Sequence, residues 1–354
     1  MLDLIVVGNG LAANVLALEL QKKQVNYTLI GNAALSRSSL VAAGIWNPIV
    51  FKRMTKSWLA DDLIPYLKQF YKEAEQLTGE KFYTERAILK PFFSEEEKNF
   101  WVKKSQGDLA PYIDQNIYTA KEDHQNLIIP GYYGVVKQSG NIHLQNFLNA
   151  CTRFHEQQNK IVDETFDHEQ LKIESDHLIY KNIKAKSIVF CEGHLVKDNP
   201  YFHWIPLNPV KGEVLEITCH KLELGNNIFN RNGFIMPLED HQFIIGATYE
   251  WKELNEIPTE KGKEELQQKL SQMLTSPYNI KKHDAAVRPS SIDRRPIIGP
   301  HPKHDNIFVF NGLGTKGVMI APYFAKNFVN FYLKKEALHH DVNVERFYSK
   351  YTSQ

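Results

Sequence analysis

The first thirty residues switch from one apolar pattern to another and back. Leu4-Ile5-Val6-Val7 is a short, unbroken apolar run rich in β-branched residues, the pattern of a strand buried on both faces of a parallel sheet. It ends at Gly8. From Leu11 onward the apolar positions Leu11, Val15, Leu16, Leu18 and Leu20 outline the buried face of a helix, and Tyr27-Thr28-Leu29-Ile30 predicts a second strand. Further along, Trp58 to Leu77 has helical spacing, whereas Glu95-Glu96-Glu97 and Lys261 to Glu265 read as solvated helix faces. No repeat or low-complexity linker sets off an independent extra domain.

The turn between the first strand and its helix carries chemistry. Gly8-Asn9-Gly10-Leu11-Ala12-Ala13 has the form GxGxxA. Gly8 permits the tight turn, Gly10 lets the backbone approach a pyrophosphate, and small Ala13 lets the helix pack close to the strand, with the helix N-terminus facing the phosphates. The same six residues would also serve an ordinary strand-turn-helix, but the strand before, the helix after and the second strand supply the context of a dinucleotide site. An acid that would bind the ribose is expected at the end of that second strand, and Gly31 and Asn32 stand there instead. Either Asn32 or backbone groups take over the ribose, or dinucleotide affinity is weaker than usual.

Size and charge narrow the rest. A chain of 354 residues, 43% hydrophobic, is long enough for one large domain or two joined ones. Its 42 basic and 41 acidic residues leave a net charge of +1, so nucleic acid is not the expected partner. Cys151, Cys191 and Cys219 stand far apart with no metal-ligand spacing, which fits buried thiols in a reducing compartment and no metal site. The opening residues are too short and too acidic for a secretory signal, and no apolar stretch approaches a membrane span, so a cytoplasmic location is expected.

Arg37-Ser38-Ser39-Leu40-Val41-Ala42-Ala43-Gly44-Ile45 resembles the segment that runs from the pyrophosphate to the flavin ring in flavoproteins of the D-amino-acid oxidase and glycine/sarcosine oxidase family. Later segments are similar to that family in the same order. They are Ser187 to Gly193, Pro209-Val210-Lys211-Gly212-Glu213, Phe234-Ile235-Met236-Pro237 with Ile245-Gly246-Ala247-Thr248, and Val287-Arg288-Pro289 through Pro296-Ile297-Ile298-Gly299 to the closing Gly312-Leu313-Gly314-Thr315-Lys316-Gly317. The resemblance implies an α/β chain, α+β overall, in which a Rossmann-like FAD-binding domain (1–51, 138–205 and 285–354) is interleaved with a substrate domain (52–137 and 206–284) on a mixed or antiparallel sheet. It implies FAD, bound by Gly8, Gly10, Leu11, Ala12, Asn32, Ser38, Ser39, Ala43, Gly44, Gly193, Gly312, Gly314, Thr315, Lys316, Gly317 and Val318.

In such enzymes the flavin accepts hydride from the substrate carbon next to nitrogen, and the protein orients and polarises. The absence of a GxSxG elbow or an HExxH helix agrees with that chemistry. Arg288 occupies the position that binds the substrate carboxylate in glycine-oxidase relatives, a task suited to the planar fork of a guanidinium. Its alternative role is a structural salt bridge, with Arg294 and Arg295 nearby. Phe234 replaces a tyrosine that assists this arginine in those relatives. The closing Gly314-Thr315-Lys316-Gly317 is more similar to the flavin domain of bifunctional tRNA wobble-uridine modification enzymes, which makes Lys316 a further candidate. Tyr249 is either a pocket wall or core, and Trp46-Asn47-Pro48 either lines the flavin or packs. His301 and His304, in a proline-rich turn, are expected to be solvated. The expected function is oxidation of the C–N bond of a small amino acid or carboxylated amine, with tRNA modification and a non-catalytic flavin-binding protein as alternatives.

Overall fold

The computed structural model describes residues 1–32, 38–120, 124 and 126–352. Arg37 of the flavin-proximal segment lies outside the described residues. The first strand, Leu2–Val7, sits at the centre of an eight-stranded sheet, parallel to Tyr27–Ile30 on one side and to Ile183–Phe190 on the other. His304–Asn311 extends the parallel run beyond Ile183–Phe190. The unbroken apolar pattern has its expected cause. Leu4 and Val6 enter the core packed with the helices, while Ile5 and Val7 enter a second cluster on the opposite face.

Leu11–Lys22 is a helix, and it is buried on more than one face because it packs against the later helices Leu144–Gln157 and Gly317–Tyr332 as well as the sheet. The predicted helix from Trp58 to Leu77 runs from Ala60 to Thr78, with Asp61 and Asp62 in its first turn and left-handed Gly79 closing its end.

A second eight-stranded sheet follows the order Asn279–Arg288, Val210–Thr218, Gln242–Gly246, Phe234–Pro237, Ile228–Asn230, Ile88–Pro91, Tyr132–Val136 and Tyr118–Thr119. Neighbours are antiparallel except where Ile228–Asn230 runs parallel to Ile88–Pro91, so the sheet is mixed. One face packs Leu215, Ile217, Phe229, Ile235 and Ile245 against Leu266 and Leu270 of the helix Glu260–Ser271. The strand Asn279–Arg288 belongs to this sheet along its whole length, past residue 285.

Among the described residues no helix is long and apolar enough to cross a membrane. The expectation that His301 is solvated is corrected. It ends the strand Ile297–His301, is 5% exposed, and meets Tyr201, Phe202 and Tyr351 edge-on, so burial pushes its pKa down to about 4. His304 pairs with His301 across the strand turn and is half-buried.

Candidate functional site

A cavity of about 530 Å³ opens between the free face of the second sheet and the ends of the first sheet's parallel strands. That volume is within the ordinary range for small-molecule and cofactor sites. The nucleotide-like end is built by close backbone approach. Gly8 has φ +120°, and a Cβ there would lie 2.6 Å from the Cys191 carbonyl oxygen. Gly10 differs, since its nearest neighbour would be Ser39 Oγ at 3.5 Å, so the space above Gly10 is cavity and not protein. The helix Leu11–Lys22 begins there with no acid in its first turn, and Leu11 and Ala12 line the cavity. Ser39 Oγ accepts a hydrogen bond from Leu11 N at 3.1 Å, which ties the short helix Ser38–Val41 to the phosphate-type turn.

The missing acid at the end of Tyr27–Ile30 has a steric reason. A Cβ on Gly31 would lie 2.7 Å from Asn9 Cβ and from the Gly8 backbone, so a carboxylate side chain does not fit. Asn32 lines the cavity, and its Nδ2 donates to Thr165 Oγ1 at 3.0 Å. Thr165, Phe166 and His168, from a part of the chain without any motif, share this end. Ala43, Gly44, Gly193, Gly314, Thr315, Gly317 and Val318 also line the cavity.

Gly312 and Lys316 do not line it. Gly312, at φ +74°, forms the turn after His304–Asn311, with its N–H bonded to Asn311 Oδ1. The Lys316 amine turns to Ser57 and donates to its Oγ at 2.5 Å, while Ser57 donates to the Asn47 carbonyl. Burial pushes the Lys316 pKa down to about 8. Of the Trp46-Asn47-Pro48 segment only Asn47 reaches the cavity, and Trp46 is core, stacked on Tyr83 and bonded to the Gln138 carbonyl.

The opposite end is the free face of the second sheet, with Arg288, Ala286, Gly212, Val214, Phe234, Ile228, Asn230 and Ile88 from five strands. A side chain on Gly212 would collide with the Arg288 guanidinium, which lies flat across that glycine. Arg288 Nη1 donates to the Thr248 carbonyl at 3.3 Å, and its guanidinium carbon is 4.9 Å from the centre of the Tyr249 ring. Among the described residues no carboxylate pairs with Arg288. The salt bridge of this segment joins Asp293 to Arg346 instead, and Arg295 lies over Trp58. Desolvation lowers the Arg288 pKa from its ordinary value. Tyr249 is 51% exposed at the rim and stacks on Trp251, so it belongs to the wall and not to the core. Among the described residues no group of three or more His, Cys, Asp or Glu is arranged to hold a metal ion.

The model of the FAD dependent oxidoreductase family matches residues 3–330. This chain belongs to that family. Glycine oxidase of Bacillus subtilis is 23% identical over 343 residues, covering 90% of each chain. The tRNA 5-methylaminomethyl-2-thiouridine biosynthesis bifunctional protein of Marinobacter nauticus is 26% identical over 182 residues, which cover 46% of this chain but 29% of that much longer one. Glycine oxidase from Bacillus cereus superposes with a TM-score of 0.78 at 18% identity, over 96% of this chain and 97% of that one. The cofactor of the chain is FAD, and the residues present fit it. The glycine cradle leaves room for a pyrophosphate at a helix N-terminus free of acids, and the Ser38–Val41 helix leads from there toward the second sheet.

Proposed function

We propose that this enzyme oxidises the carbon–nitrogen bond of a small amino acid or related carboxylated amine, with Arg288 holding the carboxylate. One observation carries the reading. A desolvated guanidinium faces the cavity with one backbone acceptor and no carboxylate partner among the described residues. A buried cation with unused donors is costly, and a substrate carboxylate gripped by two parallel N–H groups would offset that cost. Bound FAD would take up the two electrons released as the C–N single bond becomes a C=N bond. The chain's own part is positioning. Gly212 lets the guanidinium lie flat, the Thr248 carbonyl fixes its rotation, and Tyr249 covers it and limits water. The glycine oxidases among the relatives, named for a small amino acid, support the reading.

We assign the cofactor to 1–51, 138–205 and 285–354 and the substrate to 52–137 and 206–284, a division supported by the strands of the two large sheets except at Ala285 to Arg288, which continue the substrate-side sheet and bring Arg288 to it. A reducing, cytoplasmic compartment is supported by three free, buried cysteines. The tRNA-modifying reading draws on the Marinobacter match, but 42 basic against 41 acidic residues give no broad attraction for a phosphate backbone.

The test is anaerobic flavin reduction by carboxylated and uncharged amines. A hydrogen bond to a charged group contributes roughly 1.5–3 kcal/mol, so Arg288→Ala should lose at least about tenfold and up to a few hundredfold with carboxylated substrates. Arg288→Lys should fall between, because it keeps charge but not the fork. Equal losses for uncharged amines, or loss of FAD from Arg288→Ala, would show that the arginine is structural.

A further inference from the structure

We propose that Phe234 selects the substrate, favouring amino acids with an apolar side chain over glycine and over those with charged side chains. The inference rests on the reading of Arg288 as the carboxylate site and names the class of molecule that site receives.

The argument begins with the register of the second sheet. Gly212 pairs with Ala286, Val214 pairs with Gly246, and Gly246 pairs in turn with Phe234. Side chains two apart on a strand share a face, so Gly212 and Val214 lie side by side, roughly 7 Å apart at the usual rise per residue. Each supports one element of the site. The Arg288 guanidinium lies across Gly212. The Phe234 ring lies across Gly246, where a Cβ would meet its Cζ at 2.6 Å and the Val214 methyl at 3.2 Å. Two glycines on adjacent strands thus let a cation and an aromatic ring lie flat on the sheet next to each other.

A carboxylate held on the guanidinium therefore has its α-substituent within reach of Phe234 and Val214, with Ile228 and Ile88 beyond them on the next pair of strands. Apart from Arg288 this surface offers no charge. The cavity-lining residues of the second sheet include no Asp or Glu, and Asn230 is their one side-chain amide. The cavity's carboxylates Glu192 and Asp198 come from the end of the first sheet, and Glu192 already accepts from Asn199 at 2.6 Å. An acidic side chain would lose its hydration over Phe234 without a partner, an amine would have only the ring face in place of its hydration, and glycine would leave the apolar floor uncovered.

The experiment measures kcat/KM for glycine, leucine, phenylalanine, aspartate and lysine, both enantiomers of each chiral one, on the FAD-loaded wild type, Phe234→Ala, Phe234→Leu and Gly246→Ala. The expected wild-type ratio of the better leucine enantiomer to glycine is about tenfold to a hundredfold, the range for burying a side chain of that size. Phe234→Ala should reduce that ratio roughly tenfold with FAD content near wild type, and Phe234→Leu should restore most of it. Gly246→Ala should displace the ring into the cavity and discriminate against phenylalanine before leucine. A preference for glycine or aspartate in the wild type would overturn the proposal, as would a ratio that all three variants leave unchanged. If those results came with the Arg288 effect intact, the carboxylate reading would stand and the Phe234 inference alone would fall. If none of the five amino acids reduced the flavin, both would fall.

Discussion

At the scale of single residues the site depends on atoms that are missing as much as on those present. Gly31 stands where an acid was expected because the second strand ends too close to Asn9 for a Cβ, and no sequence pattern reveals that contact. Lys316 is a residue that sequence could nominate but not aim. The closing motif brings its neighbours Thr315 and Gly317 to the cavity, while its own amine turns back to Ser57. Burial depresses that amine to about 8 from its ordinary 10.5, so the folded chain releases this proton before the unfolded chain does. Below pH 8 both states hold the proton, and the cost of burying the charge is fully present. As pH rises from about 8 to 10.5 that cost disappears and the wild type gains stability, at up to about 1.4 kcal/mol per pH unit. Denaturant unfolding of wild type and Lys316→Met at pH 7, 8, 9 and 10 should therefore show the wild type improving relative to the variant as pH rises. A constant difference would mean that Lys316 is solvated enough to keep an ordinary pKa.

At the scale of elements, the parts with a period were legible and the parts joined by register were not. Leu4 to Val7 predicted a doubly buried strand, and Leu4/Val6 and Ile5/Val7 do enter different cores. Trp58 to Leu77 differed from the observed helix by a residue or two at each end. Nothing in the periodicity, by contrast, set Arg288 over Gly212 or Phe234 over Gly246, because such neighbours depend on which strands pair. The same strand that carries Gly212 also anchors the rim from its other face. Lys211 is fully buried and donates to Asn255 Oδ1 at 2.9 Å and to the Ile257 carbonyl at 2.5 Å. Glu213 accepts from the Thr259 N–H and hydroxyl, and its other near neighbours are His283, at 2.7 Å, and Lys211, at 3.8 Å. Together these groups hold residues 249–259, and with them Tyr249 and Trp251, against the sheet. Lys211→Met removes the anchor and leaves Glu213 short of a positive neighbour, so it should destabilise by about 3 kcal/mol in denaturant unfolding. Pairing it with Glu213→Gln should recover part of the loss, since the uncompensated charge goes too. Additive losses in the double variant would mean that the two side chains act independently.

At the scale of the whole molecule, two sheets that share one core cluster and each carry a further cluster of their own meet around one cavity, and FAD binding is coupled to the stability of that arrangement. A ligand that binds only the folded chain stabilises it by about 2.7 kcal/mol at a hundred times its Kd, so the melting temperature should climb with free FAD. The two kinds of glycine in the cradle separate this linkage from folding itself. Gly44 sits at φ +67° with the Ile142 carbonyl in the way of any Cβ, so Gly44→Ala strains the apoprotein directly. Gly10 has an ordinary φ of −89° and no neighbour closer than Ser39 Oγ at 3.5 Å, so the protein can accept a side chain there and only the cofactor cannot. An aspartate would add a carboxylate at the helix N-terminus where the pyrophosphate belongs, and even favours that terminus electrostatically. Gly10→Asp should therefore melt close to wild type when both are stripped of FAD, yet show no rise as FAD is added. Gly44→Ala should melt lower than wild type even without FAD. If Gly10→Asp kept the FAD-dependent rise, the glycine turn would not be the pyrophosphate site. If it lost apoprotein stability as Gly44→Ala does, Gly10 would serve packing instead of the cofactor.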